Sequence, residues 1–370
     1  MTDRVGAGTP DERDEVFHEV VPAALAGERL DRVVSLLTAA SRAEAAVLVA
    51  EGGAVVDGVV ATSGKVRLQE GQVLDVDPAF LPRPTPPAAD PSVEFGVVYA
   101  DDQVVVVDKP AGLVVHPGAG HPTGTLVNGL LARFPDIAEV GQAGRPGIVH
   151  RLDVGTSGLL VVARTALAYD QLVTALARRD VGRRYRTLVW GRPANPIGVI
   201  DAPVGRDHRD PMKMAVVVDG KSARTRYRTL AVYRGDTGGA EVSELDCRLE
   251  TGRTHQIRVH LAAIGHPVVG DGVYGGARSA IPVERPFLHA ATLEFRHPST
   301  GATMRFDAPM PDDLRAVLAR LGDPEVSEGD DVDTESAIES AIESAPGAEH
   351  GSDHESAPGP GLGAADGREF

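Results

Sequence analysis

Apolar positions between Leu25 and Asp77 recur first at helical and then at strand spacing. Leu30, Val33, Val34 and Leu37 share one face of a helix, and Ser41 is placed to cap a second helix running to about Ala50. Gly52-Gly53 ends that helix. Ala54–Val60 then predicts a hairpin turning at Asp57-Gly58, and Val73–Val76 predicts a closing strand. From Val93 to Leu321 the pattern changes to short valine-rich runs, at Val93–Tyr99, Val104–Val107, Leu159–Ala163, Arg184–Trp190, Ala215–Val218 and Glu241–Leu249. Helical spacing interrupts them at Leu126–Arg133 and Leu167–Arg179. Strands with few interleaved helices predict an α+β domain on a mixed, largely antiparallel sheet, preceded by a small α/β module.

Five prolines between Pro82 and Pro91 separate these regions, because neither a strand nor a helix interior tolerates that density. The expected organisation is a disordered tail at 1–16, a small domain at 17–77, a proline-rich linker at 78–92, a main domain at 93–322 and a disordered acidic tail at 323–370. In the last segment Glu, Asp, Ser, Ala, Pro and Gly dominate and Glu-Ser-Ala-Ile repeats at Glu335 and Glu339, a composition that cannot bury a core. No apolar run is long enough to span a bilayer, and the acidic, polar N-terminus is unlike a secretory signal, so a cytoplasmic location is expected. The single cysteine, Cys247, excludes an internal disulfide framework.

Net charge is -16, yet its distribution reverses the obvious inference. Asp323–Phe370 holds 14 acids and one base, whereas Arg145–His260 carries 20 Lys or Arg against 12 Asp or Glu. A basic stretch inside an acid-tailed chain is a surface suited to phosphate.

Four polar clusters stand out in the main region: Asp108–Pro117, Gly147–Gly158, Arg184-Tyr185-Arg186, and Leu249–Leu261 followed by Gly265–Asp271. In the second, Asp153 stands at the mouth of a turn between two apolar strands. On that segment alone, capping of the turn by the Asp153 side chain competes with a functional role. In the fourth, Thr254 is the expected N-cap of a helix from His255 to about Ala263, with Arg258 one turn later and Val259, Leu261 and Ile264 needing burial. A solvated basic face is the alternative there.

Metal and nucleotide chemistry find little support. His255 and His260 are five apart and do not share the i, i+4 face of a metalloprotease helix, and His116 and His121 lie in a Gly/Pro loop without a nearby carboxylate. Thr156-Ser157-Gly158 lacks the nucleophile elbow of serine hydrolases, and no Gly-x-Gly-x-x-Gly follows a strand. No cofactor and no metal are expected.

His150-Arg151-Leu152-Asp153 with Thr156-Ser157-Gly158, Asp108-Lys109-Pro110 with Gly112, Tyr185, and Gly252–Arg258 resemble, in order, the motifs of the RluA family of pseudouridine synthases. The likeness covers about Val93 to Leu321, and the Leu25–Asp77 module resembles the RNA-binding domain first seen in ribosomal protein S-four. His116-Pro117-Gly118 and Asn128–Leu131 look closest to the D-type branch, which acts on large-subunit rRNA. Val154-Gly155 departs from the lysine and acidic residue of many relatives, which puts RNA contacts there in question.

The resemblance implies an isomerase that breaks the N1–C1′ bond of uridine, turns the base and rejoins it through C5, with the same atoms in reactant and product. It implies Asp153 as the catalytic carboxylate, attacking C1′ or removing a C2′ proton, with Arg258 paired to it and Tyr185 stacked on the uracil and assisting proton removal at C5. A core aromatic is the competing reading of Tyr185. Arg151 would fill the space left by the flipped base. Arg253 and His255, with Arg29, Arg32, Arg42, Lys65 and Arg67 of the small module, are the further expected RNA contacts. The expected partner is large-subunit rRNA or a ribosome-assembly intermediate, with transfer RNA as an alternative, and the chain is expected to be a monomer. A non-catalytic RNA-binding assembly factor would not need Asp153, Tyr185 and Arg258 together. A carbohydrate hydrolase would need a second acid, for which Asp271 is the nearby candidate.

Overall fold

The computed structural model describes residues 16–82, 86–118, 120–234 and 241–326. The expected disordered segments 1–15 and 327–370 lie outside the described residues, as do 83–85 of the linker. The chain divides into two compact units, one of residues up to Pro87 with 143–145, the other of the remainder.

In the small unit, β1 (Phe17–Val20), α1 (Leu30–Thr38), α2 (Arg42–Ala50), β2 (Ala54–Val56), β3 (Val59–Val60) and β4 (Val73–Val76) form a sheet of order β1-β4-β2-β3 beside two helices. The helical face read from sequence is the buried one: Leu30, Val33 and Val34 pack with Leu48, Val49, Leu74 and Val76. Each such side chain contributes about 1.5–3 kcal/mol of burial. Ser41 caps α2 through a reciprocal box with Glu44. Asp57 and Gly58 both take positive φ, as a tight two-residue hairpin turn requires. The linker is shorter than expected. Asp77 caps a turn of 3-10 helix at Pro78–Phe80, where Pro78 is buried, so the chain stays packed on this unit beyond residue 77.

From residue 88 the chain runs through β5 (Gly96–Ala100), β6 (Val104–Lys109), α3 (Leu126–Arg133), β7 (Gly141–Gln142), β8 (Arg145–Pro146), β9 (Ser157–Ala163), α4 (Ala166–Arg178) and β10 (Gly182–Trp190), all in the large unit except Arg145. It continues through β11 (Ile197–Asp201), β12 (Val204–Arg206), β13 (Met214–Val216), β14 (Arg224–Arg234), β15 (Glu241–Leu249) and α5 (Gln256–Ala263). β16 (Leu288–Arg296), β17 (Thr303–Asp307), α6 (Asp312–Arg320) and β18 (Glu325–Val326) complete it. Among the described residues ten strands make one sheet, in the order β11-β14-β15-β10-β16-β9-β6-β5, with β17 on β16 and β18 on β14. Its pairings are antiparallel except β9 with β16. The mixed, largely antiparallel α+β architecture is therefore as expected.

Period-two alternation divides the central strands between two cores. Val105, Val107, Leu160 and Val162 face α3 and α5, while Val104, Val106, Leu159 and Val161 face α4. Burial on both faces is why these strands read as unbroken apolar runs. Three expectations are corrected. The strand expected from Val93 starts at Gly96, because Phe95 is drawn onto the core with α3. The acidic tail, expected from residue 323, leaves the fold later, since Glu325 and Val326 pair with Val232 and Ala231 of β14. β14 and β16, both with strands on either side in the sheet, were not among the expected strands.

The parallel pairing of β9 with β16 brings the backbones so close at Gly158, which has φ 110°, that a Cβ there would collide with the Ala290 carbonyl. Gly158→Ala is expected to cost about 2–4 kcal/mol through positive φ and overpacking together. Urea unfolding measures it; a loss within experimental error would show that β16 can retreat.

Candidate active site

The turn that carries Asp153 is held at three successive carbonyls. The Asp153 carbonyl accepts from Thr156 N–H at 3.0 Å and that of Val154 from Gly112 N–H at 2.7 Å. The Gly155 carbonyl accepts from Arg285 Nη1 at 3.1 Å. Arg285 is in turn clamped by Asp313 in the first turn of α6, through bonds of 2.6 and 3.0 Å, and this guanidinium lowers the Asp313 pKa. Lys109 is fully buried beneath the turn, its ammonium donating at 2.9 Å to the carbonyls of both Pro110 and Leu113. The Asp-Lys-Pro motif thus supports the loop facing Asp153 from inside the fold.

The Asp153 side chain points to α5. Its Oδ2 accepts from Arg258 Nη1 at 3.1 Å, with 14 % of the Asp153 side chain exposed and 7 % of the Arg258 side chain. The other edge of the guanidinium meets Asp271 in a two-pronged pair, Nε to Oδ2 at 2.6 Å and Nη2 to Oδ1 at 3.0 Å. Asp271 is wholly buried and also accepts from the backbone N–H groups of Val273 and Tyr274. Burial works against the Arg258 cation, but the bonds and charges of Asp271 and Asp153 outweigh it and raise its pKa. The Tyr274 ring lies under the guanidinium at 5.0 Å. The Tyr274 hydroxyl accepts from Met214 N–H of β13 at 3.1 Å and lies 2.8 Å from His255 Nδ1.

The start of α5 differs from expectation. Thr254 is not its cap; His255 is, in the left-handed region at φ 56°. Gln256 does the satisfying instead: its Oε1 accepts from Arg253 N–H and the Thr251 hydroxyl, and its Nε2 donates to the Arg224 carbonyl. This anchors the helix to β14, and the stretch Gln256–Leu261 is buried, so α5 is no solvated basic face.

Tyr185 is 5 % exposed, on the β10 face that belongs to the core under the site. Burial, and secondarily the Asp153 charge, push its hydroxyl up to about 12, which keeps it neutral at ordinary pH. It is at once a core aromatic and a neighbour of Asp153. His255 is part-buried, and burial lowers its pKa. Arg151 and Arg253 are exposed beside the site, Arg253 Nε bonding the Ser222 carbonyl at 3.0 Å. In the small unit, Arg29 and Arg42 both converge on the buried Asp31, and Arg32 pairs with Glu28 at 2.8 Å. Lys65 and Arg67 are exposed, and neither has an acidic partner among the described residues. Asp271, Tyr274, Lys109 and Arg285 were not among the expected site residues; the first three lie in the motifs already noted, or beside them, whereas nothing near Arg285 in sequence signals its role.

The chain is similar to known proteins over most of its length. Residues 103–263 match the family model described as RNA pseudouridylate synthase, and 28–74 match the S4 domain. A ribosomal large subunit pseudouridine synthase D from Xanthomonas campestris pv. campestris is 45% identical over 82% of this chain and 91% of its own length. An uncharacterized RNA pseudouridine synthase from Chloroflexus aurantiacus is 49% identical over 82% of this chain and 93% of its own. The solved structure of human RNA pseudouridylate synthase domain containing 1 aligns with TM-score 0.51 and 27% identity, over 69% of this chain and 96% of that one. Fold and matches together define an isomerase that acts on RNA and carries a small RNA-binding domain at its N-terminal end. The chain belongs to the RNA pseudouridylate synthase family. Among the described residues no single helix is long and apolar enough to cross a membrane.

Two measurements follow. Asp271→Asn leaves Arg258 half-paired in a buried site, and a loss of about 3–5 kcal/mol in unfolding free energy is expected, with slower single-turnover isomerisation. Full activity and stability would show that Asp153 alone fixes Arg258. Second, burial, opposed by the Asp153 charge, lowers the Lys109 pKa from 10.5 to about 8. The unfolded chain then binds more protons than the folded one between those values, so stability rises with pH across that window. Relative to Lys109→Met, wild type should gain about 3 kcal/mol between pH 8 and 10.5 in urea titrations; parallel profiles would refute the lowered pKa.

Proposed function

We propose that this RNA pseudouridine synthase modifies specific uridines of large-subunit ribosomal RNA, with Asp153 as its catalytic carboxylate. The observation that carries the residue assignment is the chain of pairs Asp153–Arg258–Asp271. Asp271 is consumed behind the guanidinium, with no exposed surface, while Asp153 stays partly open in front of it. One carboxylate is thus presented to a ligand, which suits an isomerisation and not the two-acid chemistry of glycoside hydrolysis. The substrate assignment rests on the relatives named as large-subunit enzymes.

In this reading the target uridine leaves its stack, at a cost of a few kcal/mol, and Arg151 occupies the vacated space. Asp153 either bonds to C1′ as N1 departs or takes the C2′ proton to expel the base; both start from the carboxylate held by Arg258. The freed uracil turns on the Tyr185 ring and C5 bonds to C1′, either as the Asp153–C1′ bond breaks or as Asp153 returns the C2′ proton; the C5 proton then leaves and N1 takes one up. A neutral Tyr185 hydroxyl serves as a platform and a hydrogen-bond donor to the turning base, and not as a ready base itself. Arg253 and His255 flank the same site, and the small unit holds RNA phosphates through Lys65 and Arg67, with the acid-paired Arg29, Arg32 and Arg42 adding to its cationic surface.

Pseudouridine mapping on a large-subunit rRNA transcript tests both parts. Wild type is expected to modify defined uridines and Asp153→Asn none, while still binding the transcript. Equal modification by both proteins would remove Asp153 from the chemistry. Modification of transfer RNA with none on the rRNA transcript would overturn the substrate.

A further inference from the structure

On β10 the arginines alternate with the sheet. Arg184 pairs with Asp246 at 2.6 Å and Arg186 with Glu244, both on the face away from Tyr185. Arg183 points the other way, to the Tyr185 side, and is 5 % exposed. Among the described residues it has no acidic partner and no hydrogen bond, and its Nε is a buried donor left unsatisfied. No carboxylate is among the groups whose charge acts on it; burial alone lowers its pKa, with Tyr185 opposing. The neighbouring His150 adds to the deficit. Its Nε2 accepts from Val161 N–H at 3.2 Å, which puts the ring proton on Nδ1, and that buried donor is unsatisfied too. Burial, then the Arg183 charge, lowers the His150 pKa to about 3, so the ring offers no counter-charge problem but also no anion.

A buried guanidinium without a counter-ion costs several kcal/mol, and folds keep such a group where a ligand completes it. The surroundings show from which side. Arg183 Nη1 lies 2.9 Å from where a Cβ on Gly252 would be. Gly252 is exposed, next to exposed Arg253, so the bare glycine leaves the guanidinium edge reachable from the surface of the motif loop. We propose that Arg183 is the seat of a backbone phosphodiester of the bound RNA, reached over Gly252 and adjoining the Tyr185 platform. The guanidinium fork matches two phosphate oxygens in a way that an ammonium does not. This rests on the RNA substrate described above and adds to it a specific anion site, distinct from the Arg258 pair.

The test compares wild type, Arg183→Met and Arg183→Lys for binding of the full large-subunit rRNA transcript over a potassium chloride series, with thermal unfolding of each free protein. Removing an unpaired buried charge should raise the Tm of free Arg183→Met. Its RNA affinity should fall on the order of tenfold. The slope of log K against log salt should shrink by about 0.7–0.9, one phosphate contact, while Arg183→Lys keeps the wild-type slope. A lower Tm with an unchanged slope would make Arg183 a structural residue and overturn the proposal. Stabilisation of wild type by inorganic phosphate that saturating RNA does not displace would overturn it as well, by assigning the site to a free anion. Wild type that neither binds nor modifies the transcript would overturn the functional reading and this inference together, whereas normal modification with identical binding by all three proteins would remove this inference alone.

Discussion

The site depends on one shared cation. Arg258 must satisfy Asp271 behind it and Asp153 in front, and a guanidinium can do both because its donors diverge in a plane. Asp271, wholly buried, and the partly open Asp153 would repel each other without it, and Arg258 without them would be an unpaired charge in the core. The rest of the large unit serves this arrangement: the α5 N-terminus is tied to β14 by Gln256, and the Asp153 turn is tied down by Gly112, Arg285 and Thr156.

That arrangement is possible because the sheet has two unequal faces. One packs α4 over an apolar core, and the other, under α3 and α5, mixes apolar side chains with Tyr185 and the site. β10 crosses this boundary residue by residue, so that neighbouring arginines meet opposite fates, Arg184 and Arg186 paired with acids and Arg183 buried without one among the described residues. The Tyr274 hydroxyl, bonded to Met214 of β13 and beside His255, joins the β12–β13 hairpin to the helix that carries Arg258.

Much of this was legible along the chain. The helices at 30–38, 42–50 and 126–133, the Asp57-Gly58 turn and the apolar strands β6 and β9 follow from local spacing, because burial on one or two faces imposes a period that sequence displays. β14 was not legible: its buried face is Thr225, Tyr227 and Thr229, alternating with arginines, and polar side chains on the buried face erase the usual contrast. The Thr254 cap failed for a related reason. A threonine there is a sound local signal, but the backbone at His255 turns left-handed and the Gln256 side chain takes over the bonds that a cap would make.

By itself, then, the sequence determined the elements whose burial is periodic, the two-unit layout and the family motifs around Asp153, Tyr185 and Arg258, since these are properties of short segments. Only the tertiary structure decided which charges meet. Asp271 stands 13 residues from Arg258 and Asp153 stands 105 away, and nothing in local spacing says that the first lies behind the guanidinium and the second before it. The same holds for Arg285, which reaches Gly155 across 130 residues, and for Arg183, whose lack of a partner among the described residues is visible only once its neighbours have positions. Electrostatic pairing acts through space and between distant segments, so a linear chain carries its components without recording their partners.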